Sequence, residues 1–278
     1  MEVDILLSTY NSERFLDDLL FSLEQQTFSD WRLIVRDDGS IDGTLGLILK
    51  FKEKNQDRVL IVNNSGLNLG PKQSFAELIK HSTSEYIMFC DHDDFWLPNK
   101  IKISLKRIKE IEKSNPDKPA LVCSDLSITD KDLQITHPSF WKYARINPEN
   151  VKNVYRLSIN NTAVGCTIMM NRAACSISLP IPEHAVMHDW WIALRVAQKG
   201  TIGLIEESTI LYRQHPNNAI GASINNNKYS KSKFTQFIFI IKHNIEAYKM
   251  LKALAPDFSI FKLIGYKIIM TIERSFTK

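Results

Sequence analysis

The sequence predicts an α/β fold, an open and mainly parallel twisted sheet flanked by helices. Through the first 125 residues, short apolar runs alternate with segments whose apolar residues recur at helical spacing. Strand–helix–strand units of this kind form right-handed crossovers between parallel strands. A chain of 278 residues with 44% hydrophobic and 24% charged side chains is also long enough, and apolar enough, to bury the core that such a sheet needs.

The predicted elements follow this alternation in order. Strands are predicted at 3–8, 31–40, 58–64, 85–90 and 119–126. Helices are predicted between them at 13–26, 44–54, 74–82 and 99–114. Pro98 precedes the last of these helices, near the first turn, where helices tolerate proline. After these elements, strands and helices no longer alternate regularly. The remaining predictions are a loop-rich segment at 127–164, a strand at 165–171, a helix at 189–200 and a strand at 208–215.

The C-terminal residues differ in composition from the rest of the chain. The polar segment 221–233 is typical of a linker, and 221–278 as a whole is predicted to be a basic, apolar helical extension. From 226 to 278 there are ten Lys or Arg against three Asp or Glu. The apolar runs 234–243 and 258–272 contain lysines and are too short for a membrane-spanning helix. Three interpretations remain: helices lying on the inner leaflet of a membrane, packing against the main domain, or a homodimer contact.

Charge and cysteine usage narrow the classes of function. The net charge of +4 is concentrated in the C-terminal extension, so the main domain lacks the basic face of a nucleic-acid binder, and we expect no nucleic-acid partner. The four cysteines show no C-x-x-C spacing, which favours reduced core residues in a cytoplasmic protein. The opening residues "MEVDILLSTY" contain no basic leader, so we expect no signal peptide. The predicted location is cytoplasmic, with the extension peripheral at the inner membrane face.

Polar side chains are predicted to collect at one edge of the sheet. The segments "STYNSE", "RDDGSIDG", "NNSGLNLGPK" and "DHDDFW" each follow or end a predicted strand. In an open parallel sheet, ligands bind beyond the carboxyl ends of the strands, where the connecting loops converge. We therefore expect these four segments to form one binding site.

The segment "DHDDFW" predicts a metal site. Asp91 and Asp93 are alternate residues directly after a strand, so both side chains can approach one point. Carboxylate oxygens are ligands for a hard divalent cation, which completes its shell with water and substrate phosphates. The alternative interpretation is an acidic cluster that caps the helix beginning near Pro98, with Asp94 as the capping residue.

These residues resemble a known family. "DHDD" (91–94) fits the D-x-D motif of family 2 glycosyltransferases with the GT-A fold. Four further motifs occur along the chain in the family's order, two before it and two after it: "STYN" (8–11), "RDDGSIDGT" (36–44), "HDWW" (188–191) and "YRQHPNN" (212–218). By the positions of these motifs, the resemblance spans roughly 220 residues. "HDWWIAL" and "LYRQHPNN" are most similar to bacterial rhamnosyltransferase-like members. The resemblance implies a catalytic domain at 1–220, with a nucleotide-sugar-binding half at 1–125 and an acceptor-side half at 126–220.

The resemblance implies a set of residues around the donor nucleotide. They are Thr9, Tyr10, Asn11, Asp38, Gly70, Lys72, Asp91 and His92. Thr9, Tyr10 and Asn11 match the family's cradle for a pyrimidine, although Asn11 or Ser12 could also cap the first helix. Asp38 matches the acid that accepts a hydrogen bond from N3 of the base, with Asp37 as the less favoured candidate.

The resemblance also implies the metal ligands and the catalytic base. Asp91 matches the acid that reaches both ribose and metal, Asp93 the direct metal ligand, and His215 a histidine that can complete the site. Asp189 matches the acid that deprotonates the acceptor hydroxyl, and as a helix cap it has a structural alternative.

Three neighbouring residues have less definite assignments. His188 stands where many relatives have Glu. Trp190 and Trp191 could stack on a sugar ring, with at least one of them expected in the core.

The implied activity is metal-dependent and inverting. A hexosyltransferase of this kind would use Mn²⁺ or Mg²⁺ and move a sugar from a nucleoside-diphosphate donor to a saccharide or lipid-linked saccharide, in bacterial surface polysaccharide synthesis. Rhamnose from dTDP-rhamnose is favoured, with a UDP-hexose as the next choice. The alternatives are a sugar nucleotidyltransferase, which would usually have a Gly-rich loop after the first strand, and a non-catalytic nucleotide-binding module.

Overall fold

The computed structural model describes residues 1–63, 67–215, 218, 245–257 and 259–276, without the side chain of Phe276. Within these residues, nine strands form one sheet, which has helices on both faces. The predicted α/β fold is confirmed. The parallel strands are concentrated in the first half of the chain, and antiparallel neighbours join them in the second half.

The first half is a parallel run of four strands in the order β3-β2-β1-β4. The strands are β1 Val3–Thr9, β2 Trp31–Asp37, β3 Val59–Ile61 and β4 Tyr86–Asp91. The intervening helices are α1 Glu13–Glu24, α2 Thr44–Lys54 and α3 Gly70–His81, and α4 Lys100–Ser114 follows β4. Helix α3 begins four residues earlier than predicted, because Gly70 adopts a φ of +72° and Pro71 occupies the first turn.

The second half extends the sheet with mixed pairing. Its strands are β5 Phe95–Trp96, β6 Ala120–Thr129, β7 Ile135–His137, β8 Ile168–Asn171 and β9 Thr201–Arg213. Strand β8 lies antiparallel between β4 and β6, whereas β9 runs parallel to β6. The start of β9 was predicted seven residues too late. Strands β5 and β7 were missed because two or three residues are too few to show a periodic pattern.

Two apolar layers cover the sheet. Alternate residues of β1 point to opposite faces, with Ile5 in one layer and Leu6 in the other. The first layer packs α1, α2 and α4 on the sheet, and the second packs α3, α7 Arg172–Ser178 and α8 His188–Lys199. Two short helices, α5 Phe140–Tyr143 and α6 Val154–Leu157, lie in the segment predicted to be loop-rich. All four cysteines are buried free thiols.

The C-terminal extension is described in part. Helix α9 covers residues 245–254 and α10 spans Ile260–Phe276. Ala247, Met250 and Leu254 of α9 join the second apolar layer, so α9 packs against the main domain. The predicted linker 221–233 and the whole apolar run 234–243 lie outside the described residues. Among the helices that are described, none is both long and apolar enough to cross a membrane.

Candidate active site

Polar residues end three neighbouring parallel strands at one edge of the sheet. Thr9, the last residue of β1, is paired in register with Asp37, the last residue of β2. On the other side of β1, Ser8 is paired with Asp91, the last residue of β4. Because these strands are parallel and in register, the loops that follow them meet at this edge.

Asp37 holds the turn that follows β2. Its carboxylate accepts hydrogen bonds from Thr9 Oγ1 at 2.8 Å, Ser40 N at 2.9 Å and Gly39 N at 3.2 Å. Gly39 has a φ of +88°, which favours glycine at this position. Asp37 therefore has a structural role in shaping the loop, which agrees with its lower rank as a base-binding candidate.

Asn11 and Tyr10 follow β1 next to this turn, and Asn11 forms hydrogen bonds to it. The side-chain oxygen of Asn11 accepts from Ile41 N at 3.0 Å, and the backbone N–H of Asn11 donates to Ser40 Oγ at 2.9 Å. Asn11 therefore connects the first loop to the second, while Ser12 is the N-cap residue of α1. Among the three predicted pyrimidine-binding residues, Tyr10 (50% exposed) and Asn11 are open to a ligand, whereas Thr9 is buried.

Asp38 is buried and bound to the start of α3. Its carboxylate pairs with the Arg36 guanidinium and accepts from Leu69 N at 2.7 Å and Gly70 N at 2.8 Å. Arg36 also donates to Ser74 Oγ at 2.7 Å. Among the described residues, Oδ2 of Asp38 accepts from Gly70 N alone, so it can still accept a further N–H donor. The structure thus adds a joining role between β2 and α3 to the predicted contact with the base.

The ammonium of Lys72 is bound to the segment that precedes α8. It donates to the backbone carbonyls of Glu183 at 2.6 Å and Ala185 at 2.8 Å. The contact joins the first half of the chain to residues more than 100 positions away. A nucleotide contact by Lys72, as predicted, would have to compete with these two bonds.

Asp93 lies against His215, so two of the three predicted metal ligands are neighbours. Their Oδ2 and Nε2 atoms are 2.9 Å apart, and Asn218 Nδ2 donates to the same oxygen at 3.0 Å. The backbone carbonyl of Asp93 accepts from Arg213 Nε at 2.9 Å. The end of β9 therefore holds the loop that carries Asp93.

Asp91, the third predicted ligand, is half-buried at the end of β4. Burial, together with the negative charges of Asp93 and Asp189, raises its pKa to about 7. His92 is half-buried between the two acids in sequence, and burial lowers its pKa. A carboxylate with this environment favours binding either a proton or a cation.

Asp94 is fully buried and does not cap a helix. The N-cap residue of α4 is Asn99, so the capping interpretation of Asp94 is wrong. Asp94 Oδ1 accepts from Arg213 N at 3.4 Å, and Oδ2 has no hydrogen-bond partner among the described residues. One ligand atom from each of Asp91, Asp94 and Cys166 lies within 4.8 Å of the others. Asp94 thus turns inward, near the end of β9, without capping α4.

Lys100, which sequence reasoning missed, lies fully buried below the acids. Its Nζ is 4.7 Å from the centroid of the Trp96 ring and 3.5 Å from Thr209 Oγ1. Burial lowers its pKa to about 8, and its charge interacts with Asp94. Lys100 therefore supplies positive charge that partly offsets the acidic cluster. The available signal was its helical spacing with Ile108, which places a lysine on the apolar side of α4.

Asp189 lies in the first turn of α8, where Met187 is the N-cap residue. Its Oδ2 accepts from Gly165 N at 2.9 Å and Asn161 Nδ2 at 3.0 Å, and its Oδ1 accepts from Trp190 N at 2.7 Å. Burial raises the pKa of Asp189 to about 6, although these three bonds lower it. The helix-cap alternative for Asp189 is wrong. Asn161, which holds this carboxylate, carried no local sequence signal because the two residues meet only through the fold.

The His188 ring packs against two aromatic rings in the core. Its ring is stacked on Phe75 at a centroid distance of 4.1 Å and meets the edge of Phe89 at 5.0 Å. Within the described part of the chain, neither ring nitrogen has a hydrogen-bond partner. Burial lowers its pKa to about 3, so His188 is neutral at physiological pH and is a poor candidate for a general base.

Trp190 and Trp191 both belong to the core. They are 3% and 7% exposed. Trp190 Nε1 donates to the Leu157 carbonyl at 2.7 Å, and Trp191 Nε1 donates to the Ser178 carbonyl at 3.0 Å. Neither ring is available to stack on a sugar, because buried tryptophans use the indole N–H to satisfy backbone groups.

Comparison with known proteins gives a consistent assignment. Residues 4–176 match the family model described as Glycosyl transferase family 2. The glycosyltransferase TuaG of Bacillus subtilis, whose name assigns it to teichuronic acid biosynthesis, is 25% identical over 90% of this chain and 91% of its own. The dTDP-rhamnosyl transferase RfbG of Shigella flexneri is 24% identical over 93% of this chain and 88% of its own.

Solved structures share the fold. Staphylococcus aureus TarS (residues 1–349), in complex with UDP-GlcNAc, superposes with a TM-score of 0.59 at 18% identity. The match covers 81% of this chain and 61% of the TarS chain, so this chain spans less than two thirds of that structure. The mannosyltransferase PcManGT from Pyrobaculum calidifontis, in complex with GDP-Man and Mn²⁺, superposes with a TM-score of 0.55 at 15% identity, covering 99% of this chain and 83% of that one.

Proposed function

The chain belongs to glycosyl transferase family 2, and from this premise we propose that it is an inverting, metal-dependent transferase acting in bacterial surface polysaccharide synthesis. The donor is a nucleoside-diphosphate sugar, with dTDP-rhamnose favoured over a UDP-hexose. The acceptor is a saccharide or a lipid-linked saccharide. The observation that carries this proposal is the closeness of two acids from distant parts of the chain: Asp189 accepts from Gly165 N at 2.9 Å, and a ligand atom of the next residue, Cys166, lies within 4.8 Å of one of Asp91.

This closeness supports a proposed base that lies beside the proposed diphosphate site. Asp91 follows the strand β4, next to the loops that match the family's nucleotide motifs, whereas Asp189 belongs to the half implied to hold the acceptor. The negative charge of Asp189 raises the pKa of Asp91, so the two carboxylates lie within electrostatic reach. Transfer requires this proximity, because the acceptor oxygen must attack the carbon that carries the diphosphate.

The acidic cluster fits a divalent cation. Asp91 and Asp93 supply hard oxygen ligands, and the imidazole of His215 is 2.9 Å from Asp93. Asp94 adds a fully buried carboxylate oxygen without a partner among the described residues. A bound Mn²⁺ or Mg²⁺ would neutralise charge on the departing diphosphate. Support for a metal also comes from the structurally similar mannosyltransferase, which contains Mn²⁺.

Asp189 is the proposed general base. Its carboxylate takes the proton of the acceptor hydroxyl while that oxygen forms a bond to the anomeric carbon from the face opposite the diphosphate. The bond between the anomeric carbon and the diphosphate oxygen breaks in the same step, and its electron pair leaves with the diphosphate. One such displacement inverts the anomeric configuration, as in base-assisted inverting glycosidases. A pKa of about 6 suits this role near neutral pH.

The donor and pathway are proposed from relatives. RfbG is named a dTDP-rhamnosyl transferase, and TuaG is named for teichuronic acid biosynthesis. Both relatives align over most of this chain, which supports a bacterial surface polysaccharide as the product class. A lipid-linked acceptor would be reached most directly if the enzyme worked at the inner face of the membrane, and residues 226–278 are the segment proposed to bring it there.

The proposal is tested by incubating the protein with a panel of nucleotide sugars in Mn²⁺ and measuring release of nucleoside diphosphate. We expect slow donor hydrolysis that is fastest with dTDP-rhamnose, requires metal, and is lost in Asp93→Asn. Turnover of a nucleoside triphosphate and a sugar phosphate, with inert nucleotide sugars, would instead identify a nucleotidyltransferase. Binding without any turnover, after acceptor extracts have been added, would support the non-catalytic module.

A further inference from the structure

We propose that the outer face of α10 docks the protein on an anionic lipid bilayer. Helix α10 exposes large apolar side chains in a continuous row, which we call the α10 stripe: Phe261, Ile264, Ile268 and Ile272. Phe261 is 80% exposed and the three isoleucines are 49–55% exposed. A row of this kind is costly in water unless another surface covers it.

The opposite face of α10 fastens the helix to the main domain. Leu263 and Met270 are buried, and Leu263 belongs to a small apolar cluster with residues of α6 and α9. The Tyr266 ring stacks on Tyr155 at a centroid distance of 5.4 Å. Glu273 forms an ion pair with Arg156 at 2.5 Å. These contacts fix which face of α10 is turned outward, so the α10 stripe is a feature of the fold.

Two lysines flank the stripe. At about 100° per residue, the four stripe residues fall within a sector of about 80° on the helix circumference. Lys262 and Lys267 lie about 60–80° beyond the two sides of that sector, and both are exposed. Long lysine side chains in this arrangement place their stems along apolar surface and their ammonium groups at the level of lipid headgroups. An apolar face bordered by cations is typical of helices that lie in the plane of an anionic bilayer.

Charge favours a bilayer over a second copy of this chain. A symmetric dimer through the α10 stripe would bring two like-charged surfaces together, because the tail of each copy carries an excess of basic residues. An anionic membrane surface attracts the same charges. The apolar run 234–243 of the same chain is a third occupant that the experiment below distinguishes.

The position of α10 suits a lipid-linked acceptor. Helix α10 packs on α6, and the loop that follows α6 carries Asn161, whose side chain donates to Asp189 at 3.0 Å. Docking through α10 would therefore bring the bilayer close to the acceptor half of the site. This inference rests on the proposed function only for the nature of the acceptor, because bilayer binding is measured without any transfer reaction.

The test is flotation of the full chain with vesicles of phosphatidylglycerol and phosphatidylethanolamine, compared with phosphatidylcholine vesicles. The variant is Ile264→Glu combined with Ile268→Glu, and the matched control is Leu45→Glu combined with Leu49→Glu. The control pair has the same spacing, lies on α2, and is similarly exposed at 45% and 46%. We expect the unaltered protein and the control to float with anionic vesicles, at least tenfold more than with neutral ones, and the α10 variant to lose this binding at least tenfold.

Three results would overturn the inference. The first is that the unaltered protein does not bind anionic vesicles, regardless of whether it hydrolyses the donor. If light scattering then shows a dimer that the α10 variant dissociates, a second copy covers the stripe; if it shows a monomer, residues of the same chain cover it. Equal vesicle binding by the α10 variant and the control is the second, and equal binding to neutral and anionic vesicles is the third. Vesicle binding without donor hydrolysis would refute the proposed function and leave the docking surface standing.

Discussion

Replacing Asp189 by Asn should lower the transfer rate while the protein stays folded. The hydrogen bonds and burial of Asp189 give the expected size of the change in stability. The substitution keeps the size of the side chain but removes the basic lone pair that would accept the acceptor proton. A positioned general base contributes about 10²- to 10⁴-fold to a rate, so we expect transfer to fall by that factor. Donor affinity should change little, because Asp189 lies in the half of the chain that the family resemblance assigns to the acceptor.

The effect on stability has two opposing parts. Asn161 Nδ2 and Gly165 N both donate to Asp189 Oδ2, so an amide nitrogen at that position would face donors and lose about 2 kcal/mol of buried hydrogen bonding. The ionised carboxylate, however, is itself destabilised by burial, which raises its pKa from 3.8 to about 6. Above pH 6 this shift costs the folded state about 3 kcal/mol, which Asn does not incur. Near pH 8 the two parts nearly cancel.

The difference in stability between the variant and the unaltered protein should depend on pH, because the buried charge is costly only where Asp189 is ionised. Between pH 4 and 6 the folded protein binds more protons at Asp189 than the unfolded chain does, so this group lowers stability as the pH rises. The variant has no such group. Relative to the unaltered protein, its free energy of unfolding should therefore rise by about 3 kcal/mol between pH 4 and pH 7. At 2–4 °C per kcal/mol, the difference in melting temperature should shift by roughly 6–12 °C in favour of the variant.

The measurements are thermal melts at pH 4 and pH 7, calorimetric donor binding, and a pH profile of the transfer rate. The rate of the unaltered protein should fall about tenfold per pH unit below pH 6, and that of the variant should not. Asp57→Asn, at an exposed carboxylate, is the control and should change neither rate nor melting. A folded Asp189→Asn variant that keeps more than a tenth of the transfer rate would refute the base assignment. If the difference in melting temperature does not change with pH, the conclusion that Asp189 carries a destabilising buried charge would be refuted.

Three further predictions concern the surrounding residues. Asp93→Asn should weaken dTDP binding at least tenfold in Mn²⁺ and have no effect in EDTA, measured by calorimetry; equal affinity of the unaltered protein in both conditions would remove the metal site. His188→Leu should keep transfer within about threefold and raise the free energy of unfolding by up to about 1 kcal/mol, because it removes unpaired buried nitrogens; a hundredfold loss of transfer would show that the imidazole acts in the reaction. Lys72→Met should lower the free energy of unfolding by about 1–2 kcal/mol, because the carbonyls of Glu183 and Ala185 lose a charged donor; a tenfold loss of nucleotide affinity without destabilisation would instead support the nucleotide contact.

The parallel half of the fold could be predicted from local patterns. Each of its strands is an apolar run and each helix has an apolar face, and both patterns depend only on neighbouring residues. The convergence of the loops after β1, β2 and β4 follows from the same patterns, because parallel strands bring their carboxyl ends to one edge. The second half was harder, since β9 starts at Thr201 with little apolar alternation and pairs with a strand some 80 residues earlier.

Sequence alone determined the order of the elements in the parallel half and the acidic, polar character of one edge of the sheet, because both depend on residue type and spacing along the chain. Only the tertiary structure decided which partner each polar group has. Asp38 binds the amides at the start of α3, Lys72 binds carbonyls before α8, and Asp94 turns inward near Lys100. These partners are up to 113 positions apart. No local propensity specifies such pairs, because a hydrogen bond across that distance forms only after packing has brought the two segments together.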